Sequence, residues 1–196
     1  PSALNKGFSK AKGDIFAFIN SDDILLEGTL NKIRNLFEKH PQIDFVLGNG
    51  TKIDEYDNTI KYIHSDSFNV NQYLAGSLTV FQPGFFFKKT AFDAVNGFNE
   101  NNKICWDGEL MMDMVIHNLN YLKVNSYLAS IRSYNNTISA SIDFRQKYNS
   151  EKERLFKKVY KRKPYILERE ILFLYHLVKK YIKDPKRVKH LVKKVT

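Results

Sequence analysis

Apolar positions in this chain follow two rhythms, short unbroken runs and helical repeats, and the two alternate in order. Gly13-Asp14-Ile15-Phe16-Ala17-Phe18-Ile19-Asn20-Ser21-Asp22-Asp23 contains an aromatic-rich run that reads as a buried strand and stops abruptly at Asn-Ser-Asp-Asp. Leu30, Ile33, Leu36 and Phe37 recur at helical spacing, which predicts an amphipathic helix from about Leu26 to His40, ended by Pro41. A strand is expected from Asp44 to Gly50, and Glu55-Tyr56-Asp57-Asn58 reads as the turn of a hairpin. Leu78 to Lys89 reads as a strand pair broken at Pro83-Gly84, followed by a short helix from Thr90 to Val95 capped by Asn96-Gly97. Leu110, Met111, Met114, Val115 and Leu119 form a helical stripe in which the methionines fill the core. Tyr121 to Arg132 is expected to be a terminal strand pair. This order of helix, strand, helix, strand favours an α/β sheet.

From Asp143 the pattern changes to charged helix. Tyr148, Leu155, Phe156 and Val159 give a partial apolar stripe, and Pro164 opens a second helix with Leu167, Ile171, Leu174, Tyr175, Val178 and Ile182 on one face. Charge changes at the same place. Residues 1–142 hold 13 Lys/Arg and 15 Asp/Glu, whereas residues 143–196 hold 18 and 6, so the net charge of +10 belongs wholly to the C-terminal quarter. Its helices either pack on the preceding domain with a solvated Lys face or lie on an anionic membrane surface. Nucleic acid is disfavoured as a partner, since no reading motif or stacking platform accompanies the charge. The single Cys105 excludes an internal disulfide and is compatible with a cytoplasmic location. No apolar run approaches the roughly 20 residues that span a bilayer.

Two short stretches carry candidate chemistry. Adjacent carboxylates at Asp22-Asp23, where a buried strand leaves the sheet, suit a hard divalent cation that binds phosphate oxygens on its other side. Equally, Ser21, Asp22 or Asp23 could cap the helix that follows. Trp106-Asp107-Gly108-Glu109 opens a predicted helix, where carboxylates are favoured by unpaired N–H groups whether or not they do chemistry.

The run Ala3-Leu4-Asn5-Lys6-Gly7-Phe8, Ala11-Lys12-Gly13-Asp14 and Phe18-Ile19-Asn20-Ser21-Asp22-Asp23 resembles the middle of a family 2 (GT-A fold) glycosyltransferase, and the resemblance continues through most of the chain. It implies a Rossmann-like, nucleotide-diphospho-sugar transferase architecture: a mixed α/β sheet flanked by helices over residues 1–142, with a basic helical extension over residues 143–196. It also implies that several tens of residues normally precede Pro1, including much of the nucleotide pocket. The implied reaction is transfer of a sugar from a nucleotide-diphosphate sugar, a UDP-sugar foremost, to an acceptor hydroxyl with inversion. The expected setting is assembly of a surface polysaccharide, on a glycan or lipid-linked acceptor.

By the same resemblance, Asp22 and Asp23 would hold Mn²⁺ or Mg²⁺, and Asn20 takes the position where an acid usually contacts the ribose. Asp107 matches the general base, and Glu109 matches a second acidic position that packs and orients the helix start. Gln82 and Pro83 border the acceptor site, while Trp106 faces an acceptor sugar or belongs to the core. Thr137 and Ser139 would donate to phosphate. The family's His is replaced by Tyr134, a poor metal ligand, and the processive Gln-x-x-Arg-Trp signature is absent. The competing reading is a non-catalytic, degenerate transferase-like domain that docks to a membrane or partner through its basic tail.

Overall fold

The computed structural model describes residues 1–133 and 142–183. A mixed six-stranded sheet forms the centre, built from β1 (Ile15–Phe16), β2 (Ile24–Leu25), β3 (Phe45–Ile53), β4 (Thr59–Ile63), β5 (Phe85–Lys88) and β6 (Tyr121–Arg132). The strands lie in the order β1-β5-β3-β6-β2, with β4 paired to β3. β3 is the axis. Its first half pairs antiparallel with β5, its second half antiparallel with β4, and its other edge runs parallel to β6. Helices α1 (Ser2–Lys10), α2 (Thr29–Lys39), α3 (Val70–Leu74), α4 (Lys89–Ala94), α5 (Trp106–Ile116), α6 (Ile142–Tyr160) and α7 (Glu168–Lys183) complete the described chain.

The sheet separates two apolar layers, as the pleat requires of a strand covered on both faces. Phe45 and Leu47 of β3 and Phe85 and Phe87 of β5 point into the larger layer, together with α5 residues Leu110, Met111, Met112 and Met114. The intervening Val46 and Phe86 point the other way, onto Ile33 and Phe37 of α2. Aromatic side chains dominate the larger layer, with Phe8, Phe16, Phe87, Phe92 and Phe98 in stacked and edge-to-face contact at 4.7–6.2 Å. Leu155 and Phe156 of α6 are fully buried in this same layer, so the first basic helix is part of the main core.

Several expected elements take a different form. The run before Asn20 contributes only the two residues of β1 to the sheet. After Phe16 the chain departs, and the Phe18 carbonyl accepts from Gln82 Nε2 at 3.0 Å instead of from a neighbouring strand. Leu78–Phe81 forms no strand: it is held by side chains, with Thr79 N–H donating to Asp66 and Phe81 N–H to the Ser65 hydroxyl. Only β5 follows, after a 3₁₀ turn at Gln82–Gly84. Tyr121–Arg132 is one continuous strand, not a pair, because β3 and β2 already occupy its two edges. The expected hairpin and helix cap are present: Asp54 accepts N–H groups across the 55–58 turn, and Asn96 and Gly97 both adopt positive φ. Helix α2 begins at Thr29, after Gly28 takes a left-handed conformation at φ 73°.

Close packing at the centre of β3 demands the absence of side chains. A Cβ on Gly50 would lie 2.0 Å from the buried Phe81 ring. Gly50→Ala is therefore expected to lower stability by about 1–3 kcal/mol, measured by denaturant unfolding. An unchanged midpoint would mean that Phe81 repacks freely.

Candidate active site

Phe18 is the hub that joins the two chemical stretches. Its carbonyl is held by Gln82, its ring lies 5.0 Å from Trp106, and two residues on the chain turns at Asn20–Asp23. Trp106 also packs edge-on to Phe98 at 5.0 Å and is half-buried. Pro83 is buried in the 3₁₀ turn beside Gln82.

The Asn20–Asp23 turn is closed by its own residues: Asp23 N–H donates to the Asn20 carbonyl at 3.2 Å, and the Asn20 amide donates to Asp23 Oδ2 at 3.0 Å. The other oxygen, Asp23 Oδ1, accepts the backbone N–H of Arg132 at 3.0 Å. Arg132 was missed as a candidate, yet it staples three segments. Its guanidinium donates to the carbonyls of Asp22 and Asp54 and pairs with Asp57 at 2.6 Å. The sequence marks Arg132 only as the Arg that opens the family-like run through Tyr134, and its role as a staple is hidden because its partners lie 75 or more residues earlier in the chain.

These contacts divide the two acids. Both Asp23 oxygens are engaged, whereas the Asp22 side chain is exposed and its carboxylate has no hydrogen-bond or ion-pair partner among the described residues. Among those residues no cluster of three His, Cys, Asp or Glu side chains is present. One or two carboxylates completed by substrate phosphates and water are what a magnesium-like ion accepts. The turn therefore fits such an ion, with Asp22 as the better-disposed ligand.

Asp107 stands at the first turn of α5, where its carboxylate accepts backbone N–H groups from its own residue and Gly108. Burial raises its proton affinity above the ordinary carboxylate range, and those hydrogen bonds together with Lys152 only partly offset this. Asp107 lines a cavity of about 260 Å³ with Tyr73, Leu78, Val80, Cys105 and Tyr148. Helix α6 contributes to this cavity, although the sequence marked Tyr148 only as part of a partial apolar stripe on a charged helix. Tyr148 forms part of its wall, its hydroxyl pushed up to about 12 by burial. Lys152 is 1% exposed, donates to the Tyr73 carbonyl at 2.6 Å and lies 3.0 Å from the centre of the Tyr73 ring. Burial pulls its ammonium down to about 7, opposed by the charges of Cys105 and Asp107.

Glu109 is 1% exposed and saturated. Arg154 reaches its two oxygens at 3.1 and 2.5 Å, Lys158 donates at 3.0 Å, and Asn99 and Asn102 donate from the preceding loop at 3.1 and 2.7 Å. Burial alone would raise its pKa, but these donors hold it at about 2. Its carboxylate is directed into the join between α5 and α6. Tyr134, Thr137 and Ser139 lie outside the described residues.

Residues 1–96 match the family model for glycosyl transferase family 2. Among solved structures, S. aureus TarS 1–349 in complex with UDP-GlcNAc is similar with a TM-score of 0.54 at 13% identity, covering 95% of this chain and 62% of that one. The same TarS segment in complex with UDP gives 0.55 at 13% identity, covering 90% and 50%, and a structure of S. aureus TarS gives 0.52 at 12%, covering 80% and 30%. The chain thus spans less than two thirds of these TarS chains, and at such identity the likeness establishes a shared fold. No curated protein sequence matches the chain.

Glu109→Ala should cost about 2–3 kcal/mol near neutral pH, below the full penalty for breaking a buried pair because Arg154 and Lys158 are each 39% exposed. A carboxylate held at about 2 stabilises the fold fully above its ordinary value of 4.5, and that contribution is lost as pH falls towards 2. Unfolding free energies measured against pH should accordingly converge for the two proteins at the acid end. Curves that stay parallel would show that Glu109 does not carry the acid sensitivity.

Proposed function

Taking residues 1–96 as a glycosyl transferase family 2 segment on a fold shared with TarS, we propose that the chain transfers a sugar from a nucleotide-diphosphate sugar to an acceptor hydroxyl, with inversion at the anomeric carbon. The TarS complexes with UDP-GlcNAc and UDP favour a uridine-diphosphate donor. A glycan or lipid-linked acceptor, in surface-polysaccharide assembly, suits the absence of the processive signature. The observation that carries this reading is that Phe18, two residues before the Asn20–Asp23 turn, is held by Gln82 and packs on Trp106, the residue next to Asp107 in the chain.

In this reading the acceptor hydroxyl enters the cavity and attacks the anomeric carbon while the bond from that carbon to the diphosphate breaks. Asp107 takes the hydroxyl proton as the new bond forms, and its raised proton affinity makes it a stronger base than a solvated carboxylate. Asn20 is assigned to the nucleotide end, and Thr137 and Ser139 to the diphosphate. Asp22, with Asp23 alongside, would hold a divalent cation, which when bound would supply positive charge to offset the negative charge of the leaving diphosphate. Gln82 and Pro83 fix the bend that separates donor and acceptor sides, and Trp106 walls the acceptor side. Glu109 acts by position: by anchoring the start of α5 it holds Asp107 in place. By charge the basic extension begins at residue 143, although its first helix, α6, packs into the same core and closes the cavity.

Calorimetric titration of UDP and UDP-sugars into the full chain, with and without Mn²⁺, tests the donor side. Metal-dependent binding is expected, weakened at least about tenfold in Asp22→Ala. Binding that ignores both metal and Asp22 would remove the cation from the reading. Asp107→Asn should leave UDP affinity within about twofold while lowering turnover by about 10²–10⁴. Because the base works ionised and its proton affinity is raised, the acid limb of kcat/KM should lie above the ordinary carboxylate range. An Asp107→Asn enzyme with normal turnover would sink the assignment.

A further inference from the structure

Helix α7 is apolar on two sides, and only one of them is used by the fold. On the inner side His176 is buried and its Nδ1 lies 3.2 Å from Gln72 Nε2 of α3, with Leu172, Phe173 and Leu177 half-buried around it. On the outer side Ile171, Leu174, Tyr175, Val178 and Ile182 repeat at i, i+3, i+4, i+7 and i+11, and each is 56–75% exposed. The preceding turn adds Ile166 at 94% and Leu167 at 60% exposure. A continuous stripe of this kind on a water-soluble surface marks a contact face.

Charge narrows the partner. Lys179 stands beside the stripe, exposed, and the sequence from Lys179 to Lys194 contains eight Lys/Arg against the single Asp184. The nearby acids are Glu168, paired with Arg162 at 2.7 Å, and the exposed Glu170. A second copy of the chain would bring two strongly basic surfaces together, which like-charge repulsion opposes. Nucleic acid would satisfy the cations and leave the aliphatic stripe in water. An anionic bilayer surface satisfies both, taking apolar side chains at the acyl boundary and lysines at the headgroups.

We propose that the outer face of α7, continued by the basic sequence after it, is a membrane-docking surface that lays the protein on anionic lipid. No described helix is long and apolar enough to cross a bilayer. The inference stands on α7 and the charge of the sequence after it, and does not rest on the transferase reading. If both hold, the acceptor cavity works close to the lipid surface, where a lipid-linked acceptor would be presented.

Flotation of the full chain with vesicles of phosphatidylcholine, with and without phosphatidylglycerol, tests it without any donor or acceptor. Binding to the anionic vesicles is expected, falling steeply with salt. The triple substitution Ile171→Gln, Leu174→Gln and Val178→Gln should weaken it by about tenfold or more while leaving the melting temperature unchanged. Replacing Lys186, Arg187 and Lys189 with Gln should weaken it to a similar degree. No binding to anionic vesicles, equal binding to neutral ones, or full binding by the α7 variant would overturn the proposal. A concentration-dependent dimer dissolved by the α7 variant would assign the face to a second copy instead.

Discussion

The buried Glu109 carboxylate is the constraint on which the site depends. A charge taken almost wholly out of water must be met by donors, and four side chains from two separate segments supply them. Asn99 and Asn102 come from the loop that leads into α5, and Arg154 and Lys158 come from α6. Meeting that one requirement fixes the first turn of α5, the helix that covers it and the cavity between them. Asp107 sits two residues before Glu109, on the same turn. Its geometry follows from a residue that performs no chemistry itself.

The same join explains why charge and structure divide the chain differently. Counting Lys and Arg places a boundary near residue 142, and everything beyond it looks like an appendage. Yet α6 contributes Leu155 and Phe156 to the main core, Tyr148 to the cavity wall and Lys152 to the underside of Tyr73. Its positive charge is partly consumed internally, against Glu109 and Asp113. α7 differs: it shows most of its apolar side chains to solvent. The basic region thus has an integrated half and an outward half.

What could be read from the sequence was whatever is encoded within about ten residues. The period-two alternation of Phe85, Phe86 and Phe87 against Phe45, Val46 and Leu47 is visible as apolar runs, and the turns at 55–58 and 96–97 are visible as Asn, Asp and Gly. Asp107 at a helix start is legible for the same reason. Long-range competition was not. Whether Leu78–Phe81 pairs as a strand depends on Ser65 and Asp66 taking its N–H groups, and whether 121–132 folds back depends on β2 and β3 claiming both edges. Arg132, Tyr148 and Lys152 acquire meaning only from partners 30 or more residues away. A lysine inside a lysine-rich helix carries no sign that it will be buried against a tyrosine ring.

The distance along the chain between Glu109 and its cations also sets an order of events during synthesis. The segment carrying β1 to β5 leaves the ribosome well before residues 154 and 158, so α5 emerges with a carboxylate it cannot bury. Until α6 arrives, the helix start must remain hydrated, and Leu110, Met111, Met112 and Met114 remain short of the cover that Leu155 and Phe156 provide. Completion of the Asp107 cavity therefore waits for α6, and a nascent chain halted near residue 142 would leave that methionine-rich face uncovered.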